Sequence, residues 1–286
     1  MKNKGNKINK KRKISKKRRK EIRRARLILA TICLILIIIV VKLKNITFSD
    51  DDSPKVSVSE NRKQKDKENN ISKMDMIVQN SGEYPESLIE LARKYEETID
   101  FVLNYPKNKD KDYKINPNDF KKEKDEIQLF IQWDERWGYK KYGDDFMALT
   151  GCAPTSLAMV IYSLNNDKSV TPNVIAKYAE ENNFYVDGIG SSWELVNAAT
   201  KKYGLKSTAI PLNENTIISS LEKGNPIITS VGPGTFTGSG HFLVLTGITD
   251  EGKIKINDPN SKINSSKEWD IDVFIKESLM LWEISK

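Results

Sequence analysis

Leu157, Val160, Ile161 and Leu164 recur at i, i+3, i+4 and i+7, which puts one apolar stripe on a helix. Pro154 suits the first position of that helix, because its missing N–H would find no intrahelical partner there. Upstream, Tyr84-Pro85-Glu86 opens a second amphipathic pattern, with Leu88, Leu91, Ala92, Tyr95, Ile99, Val102 and Leu103 on one face and Pro106 just past its end. That face is expected to pack against the domain that follows. Three more helices are predicted, one entered through Val170-Thr171-Pro172, one from Ser192 to near Gly204, and one from Asn213 to Lys223. The two glycines that follow, Gly204 and Gly224, suit a left-handed C-cap.

After Gly224 the period changes. PIITSV (226–231) and HFLVLTGI (241–248) read as buried strands on either side of the glycine-rich GPGTFTGSG, and KIKIN (253–257) alternates as a third. Asp250-Glu251-Gly252 marks the turn between the last two, and Asp258-Pro259 ends the run, since a residue before proline is held extended. Helices first and an antiparallel sheet afterwards predict an α+β fold.

An uncharged run, LILATICLILIIIVV, begins at Leu27 and is bracketed by Arg26 and Lys42. Its fifteen residues span ~22 Å as a helix, short of a ~30 Å hydrocarbon core unless the flanking basic side chains snorkel outward. Residues 27–43 are therefore expected to be a transmembrane signal anchor. A cleaved signal peptide is the alternative, but Lys42-Leu43-Lys44-Asn45 offers no small-residue cleavage site. Charge supports the anchor. Residues 1–26 hold 15 Lys or Arg against Glu21 alone, so the formal +8 of the whole chain leaves −6 on the remainder. An acidic body without a nucleic-acid motif argues against nucleic-acid binding. The basic tail, 1–26, is expected in the cytoplasm and the rest outside the membrane. Residues 44–83, polar and poor in large apolar side chains, read as a disordered linker. Residues 84–124 read as the amphipathic helix with a charged connector, and 125–286 as the folded domain.

Of two cysteines, Cys33 lies in the apolar run, leaving Cys152 as a lone thiol just before Pro154. A helix N-terminus offers free N–H groups and the positive end of the dipole, which favour the thiolate that acts as nucleophile. His241 is the only histidine in the chain. It is therefore the one imidazole able to take the thiol proton and return it to a leaving amine. Asp258, on the following strand, is the natural group to orient it, with Asn257 as the alternative. A two-residue turn at Glu251-Gly252 would set Asp258 opposite Leu245, so a bulge or a longer loop is required. The Cys152 N–H and the Gln132 side chain are candidate oxyanion donors. No cluster of ligating residues has zinc spacing, and neither metal nor cofactor is expected.

IQWDERWGYKKYG, GCAPTSLAMV, GHFLVLTG and KINDPNSK, in that order, resemble the C39-like branch of the papain-like cysteine peptidases over about Ile127 to Trp282. Tyr84 to Pro106 is similar to the helix that often precedes such domains in low-GC Gram-positive bacteria. The resemblance implies a papain-like fold with Cys152 as nucleophile, His241 as base and acid, Asp258 as orienter and Gln132 in the oxyanion hole. Two departures stand out: Ala153 occupies a position where relatives commonly have glycine, and Gln132 lies twenty residues upstream of Cys152. The expected activity is amide hydrolysis outside the membrane on a surface or secreted polypeptide or a cell-wall peptide, not leader cleavage in the cytoplasm. A non-catalytic module binding peptide or wall polymer, and an amidase or acyltransferase on the same site, are the alternatives.

Overall fold

The computed structural model describes residues 56–116, 120 and 126–286. The basic tail 1–26 and the apolar run 27–43 lie outside the described residues. Among the described residues no helix is long and apolar enough to cross a membrane. The chain divides into two units, 1–62 and 63–286, and apart from the start of the first helix the second carries everything that follows.

The disordered linker expected over 44–83 needs correction in its second half, where Val56–Gln79 forms helix α1. Lys, Glu, Gln and Met are good helix formers despite their polarity. Ile77, fully buried, and Met74 anchor its end in an apolar cluster. The single helix expected from Tyr84 is also broken. It becomes α2 (Glu86–Lys94), a 3-10 turn (Glu96–Thr98) and α3 (Ile99–Leu103). Tyr95 is extended at φ −130° and ψ 101°. The buried Thr98 hydroxyl fixes this break by donating to the Tyr95 carbonyl at 2.7 Å and the Leu91 carbonyl at 3.2 Å. The apolar face still packs as expected. Leu88, Leu91, Phe101 and Val102 join Ile131, Trp133, Tyr139 and Phe146 in one cluster, with the Phe101 and Tyr139 rings stacked at 4.3 Å.

Two small antiparallel ribbons follow, β1 (Lys141–Tyr142) with β2 (Asp145–Phe146) and β3 (Tyr185–Val186) with β4 (Gly190–Ser191). The central helix α4 (Cys152–Asn165) lies between them in sequence. Its run of residues from Ala153 to Ser163 is buried throughout, so its amphipathic stripe understates its burial. After α4 come α5 (Pro172–Glu181), α6 (Glu194–Lys202), strand β5 (Lys206–Ala209) and α7 (Glu214–Glu222). Gly204 takes the left-handed conformation predicted for it, at φ +73°.

Strands β6 (Ile227–Val231), β7 (His241–Ile248), β8 (Ile254–Asn257), β9 (Glu268–Trp269) and β10 (Ser278–Ser285) complete the domain, with α8 (Ile271–Glu277) between the last two. With β5 they form a six-stranded antiparallel sheet in the order β5-β10-β6-β7-β8-β9. Ile228, Phe242, Val244 and Trp282 belong to the core built around α4, whereas Ile227, Leu243, Leu245 and Leu281 belong to a second core with Ile217 and Leu221 of α7. Burial on both faces explains why these antiparallel strands read as continuous apolar runs instead of alternating. The fold is α+β, as expected. The edge strands β5 and β9 are only four and two residues long.

Candidate active site

Helix α4 starts at Cys152, two residues earlier than predicted, so Pro154 occupies the third helical position. The first intrahelical bond runs from the Thr155 N–H to the Gly151 carbonyl at 3.0 Å. The N–H groups of Cys152 and Ala153 belong to the first turn, where intrahelical acceptors do not exist, and Pro154 has no N–H. Gly151 is required by packing. A Cβ there would stand 2.5 Å from the Met147 carbonyl and 2.8 Å from the Met147 methyl. Gly151→Ala is expected to destabilise the domain by about 1–3 kcal/mol through overpacking. Urea unfolding, with the alkylation rate of Cys152 measured in parallel, checks this. Ala153, the residue that departs from the family pattern, is 1% exposed and packs into the core, so its methyl does not narrow the cleft.

His241 begins β7 opposite Val231. The register problem raised by the sequence is solved twice over. The turn before β8 is longer than two residues, with Ile248 paired to Ile254, and a bulge between Leu245 and Gly247 advances the register again so that Val244 faces Asn257. Continuing that register carries Asp258 across from Leu243 instead of Leu245, close enough for contact. His241 Nε2 and Asp258 Oδ1 are 2.8 Å apart, with both side chains buried. Since Asp258 takes Nε2, the remaining ring nitrogen is Nδ1, and His241 lines the same two cavities as Cys152. Asn257 is not the orienter. Its Nδ2 donates to the Ile127 carbonyl at 2.8 Å and ties down the start of the domain.

Burial alone would push the His241 pKa down. The Asp258 charge and hydrogen bond, with a smaller contribution from Cys152, outweigh burial and raise it to about 10. For Asp258, burial acts upward, but His241, Asn264 and the Asn260 N–H hold the carboxyl below its ordinary value. Both carboxylate oxygens are occupied. Oδ1 also accepts from the Asn260 N–H at 2.9 Å, and Oδ2 accepts from Asn264 Nδ2 at 2.8 Å. Asn264 was not legible from the sequence as part of the site. The cluster of Asn and Ser after Asp258, typical of side chains that bond nearby backbone, was the available signal.

Gln132 is buried beside this group, its backbone N–H bonded to the Pro259 carbonyl at 2.8 Å. Its Nε2 donates to the Ala148 carbonyl at 2.8 Å, which uses one of two side-chain N–H bonds. Its Oε1 has no partner among the described residues.

Two cavities meet at Cys152, His241, Ser239 and Gly240. One, of about 430 Å³, is walled by Gln132 and by Ser87, Leu91 and Tyr95 from the N-terminal segment. The other, of about 550 Å³, runs between the β3–β4 ribbon and the sheet, where Ile189, Trp193 and Leu279 are exposed. The N-terminal wall and Trp193 are features that the sequence reading did not assign to the site.

A cysteine at the start of the central helix and a histidine on the sheet, paired with a carboxylate, thus line the same two cavities of an α+β domain. The chain belongs to the Peptidase_C39 like family, whose model matches residues 124–286. Among solved structures it is similar to the peptidase domain of Streptococcus ComA, a bi-functional ABC transporter involved in quorum sensing. That alignment has 18% identity and a TM-score of 0.41, and covers 56% of this chain and 96% of that one. A double glycine motif protease from an AMS/PCAT transporter, solved with its leader peptide, aligns at 18% identity with a TM-score of 0.30, over 46% of this chain and 86% of that one. No curated protein matches the chain in sequence.

Proposed function

We propose that this protein is a cysteine peptidase that cleaves an amide bond in a polypeptide through a Cys152 acyl-enzyme. The observation that carries the reading is the 2.8 Å contact of Asp258 Oδ1 with His241 Nε2, with His241 and Cys152 together on the walls of both cavities. Asp258 holds the ring with Nδ1 toward sulfur and favours its charged form. The thiol proton passes to Nδ1, and sulfur attacks the substrate carbonyl carbon. The oxyanion that forms is met by the Cys152 N–H and by the second N–H of Gln132 Nε2. Imidazolium then protonates the leaving amine, the C–N bond breaks and a thioester remains. Water, losing its proton to His241, attacks the thioester and frees the acid and the thiol.

Cavities on both sides of Cys152 suit an extended chain, and the exposed Ile189, Trp193 and Leu279 suit an apolar side chain on one of those sides. The basic tail and the 27–43 run support anchoring with the catalytic domain outside the membrane, where the substrate is a surface or secreted polypeptide or a cell-wall peptide. Protease added to intact cells would digest the domain if this orientation is right and spare it if it is wrong.

The activity is tested by profiling new N-termini on cells carrying the full chain or its Cys152→Ala form. Termini that vanish with Cys152 are the expected result. Identical sets in both cells would rule out proteolysis. Products that depend on added amine would identify acyl transfer, and a Cys152→Ser form that shields the same ligand with unchanged products would identify a binding module.

A further inference from the structure

We infer that Glu97, which lies outside the span matched by the family model, is a positioning residue for the His241–Asp258 pair, acting through the loop that grips the Asp258 carboxylate. The inference rests on the hydrolase reading above and assigns part of that site to the N-terminal segment.

The loop from Asn260 to Ser265 supplies the groups that hold Asp258. Besides the two bonds to its carboxylate oxygens, Ser265 Oγ accepts from the Asp258 N–H at 2.8 Å. The loop is held at two of its carbonyls by tryptophans, Trp133 Nε1 donating to Asn260 at 2.9 Å and Trp269 Nε1 donating to Asn264 at 3.0 Å. Lys262–Ser265 is a single helical turn, too short to hold its shape without help. Its N-terminal donors must be met from elsewhere. Ser261 Oγ meets one, accepting from the Asn264 N–H at 3.0 Å. Glu97 meets the others: Oε2 accepts from the N–H groups of Lys262 at 2.9 Å and Ile263 at 3.2 Å, and Oε1 accepts from the Ser261 hydroxyl.

The Ser261 contact fixes a direction. Because the hydroxyl gives its proton to Glu97, its lone pairs face the Asn264 N–H, and Asn264 is set with its amide against Asp258 Oδ2. One carboxylate thus determines where a second is held, 161 residues along the chain by the numbers 97 and 258. Glu97 is itself fixed by the break after α2, where the buried Thr98 holds the turn. Tyr95 and Leu91 of the same short segment wall the cavity beside Cys152. The segment that walls the cavity beside Cys152 on one side therefore grips, on the other, the loop that holds Asp258.

The single histidine makes the test direct, because histidine labelled with ¹³C at Cε1 gives one ring signal from the full chain. Asp258 and Cys152 are the titratable groups that face that ring. Glu97→Ala is expected to lower the midpoint of the His241 signal by about one pH unit, a tenfold loss in preference for the charged ring. The iodoacetamide rate of Cys152 at pH 7 should fall several-fold in the same variant. Glu97→Gln, which keeps an acceptor for the backbone N–H groups, should fall between. It also serves if the alanine variant does not fold. Asp100→Asn, in the same segment but paired with Lys73 at 2.6 Å, should leave the signal in place. A Glu97 variant that lowers the melting temperature with an unmoved His241 midpoint would mark a structural role only and overturn the inference. If instead the wild-type thiol reacts no faster than that of His241→Ala, the hydrolase reading itself is what fails.

Discussion

His241→Ala will reduce turnover by between about 10² and 10⁴-fold, the usual contribution of a positioned general acid–base. Imidazole enters the proposed reaction three times, as acceptor of the thiol proton, donor to the leaving amine and base toward water. No other histidine exists to substitute for it. The loss should appear even without a known substrate, because alkylation of Cys152 at neutral pH depends on the same proton acceptor. Rates measured with iodoacetamide for wild type and variant decide the matter. Equal rates would show that the ring does not act on the sulfur.

Asp258→Ala should have the largest effect on stability, about 3–5 kcal/mol, because it leaves a buried imidazolium without its counter-charge. The pH dependence follows from the direction of each shift. The His241 pKa is raised to about 10 in the fold. Its contribution is therefore complete below the ordinary histidine value of about 6.5 and is lost as pH rises through 10. That of Asp258 is lowered, so the carboxylate's contribution is present above its ordinary value of 3.8 and is lost as pH falls through the lower folded value. In the variant only Cys152 remains to oppose burial, so the His241 pKa falls and the fold loses its preference for the charged ring. Urea midpoints for wild type and Asp258→Ala should thus differ more at pH 6 than at pH 9. A gap that widens toward alkaline pH would mean that His241 is not charged in the folded protein.

Much of the domain was legible because local signals agreed with it. His241–Ile248 occupies the expected strand, and Asn213 caps α7 through its side chain, accepting from the Thr216 N–H at 3.0 Å. The place of Cys152 at a helix start was legible because Pro154 and the apolar stripe after it are written in the sequence. What escaped depended on distant partners. Strand β10 sits between β5 and β6, and nothing within Ser278–Ser285 announces that it is inserted between strands some fifty and seventy residues upstream. Helix α1 escaped because its polar composition matches a linker, while Ile77 alone is fully buried at its end. The break at Tyr95 escaped because an apolar stripe continues across it. The role of Asn264 depended on a turn held from outside by Glu97, which no local pattern encodes.

The short outermost strands of the main sheet have a consequence for how a client could be read. A peptide lengthening the sheet at either rim would find two to four residues of free backbone partners, too few to hold an extended segment by main-chain pairing. Recognition is thereby left to side chains flanking the sulfur, and selectivity should follow the client's residue identities more than its willingness to adopt a strand. Self-association by rim-to-rim stacking is discouraged by the same brevity.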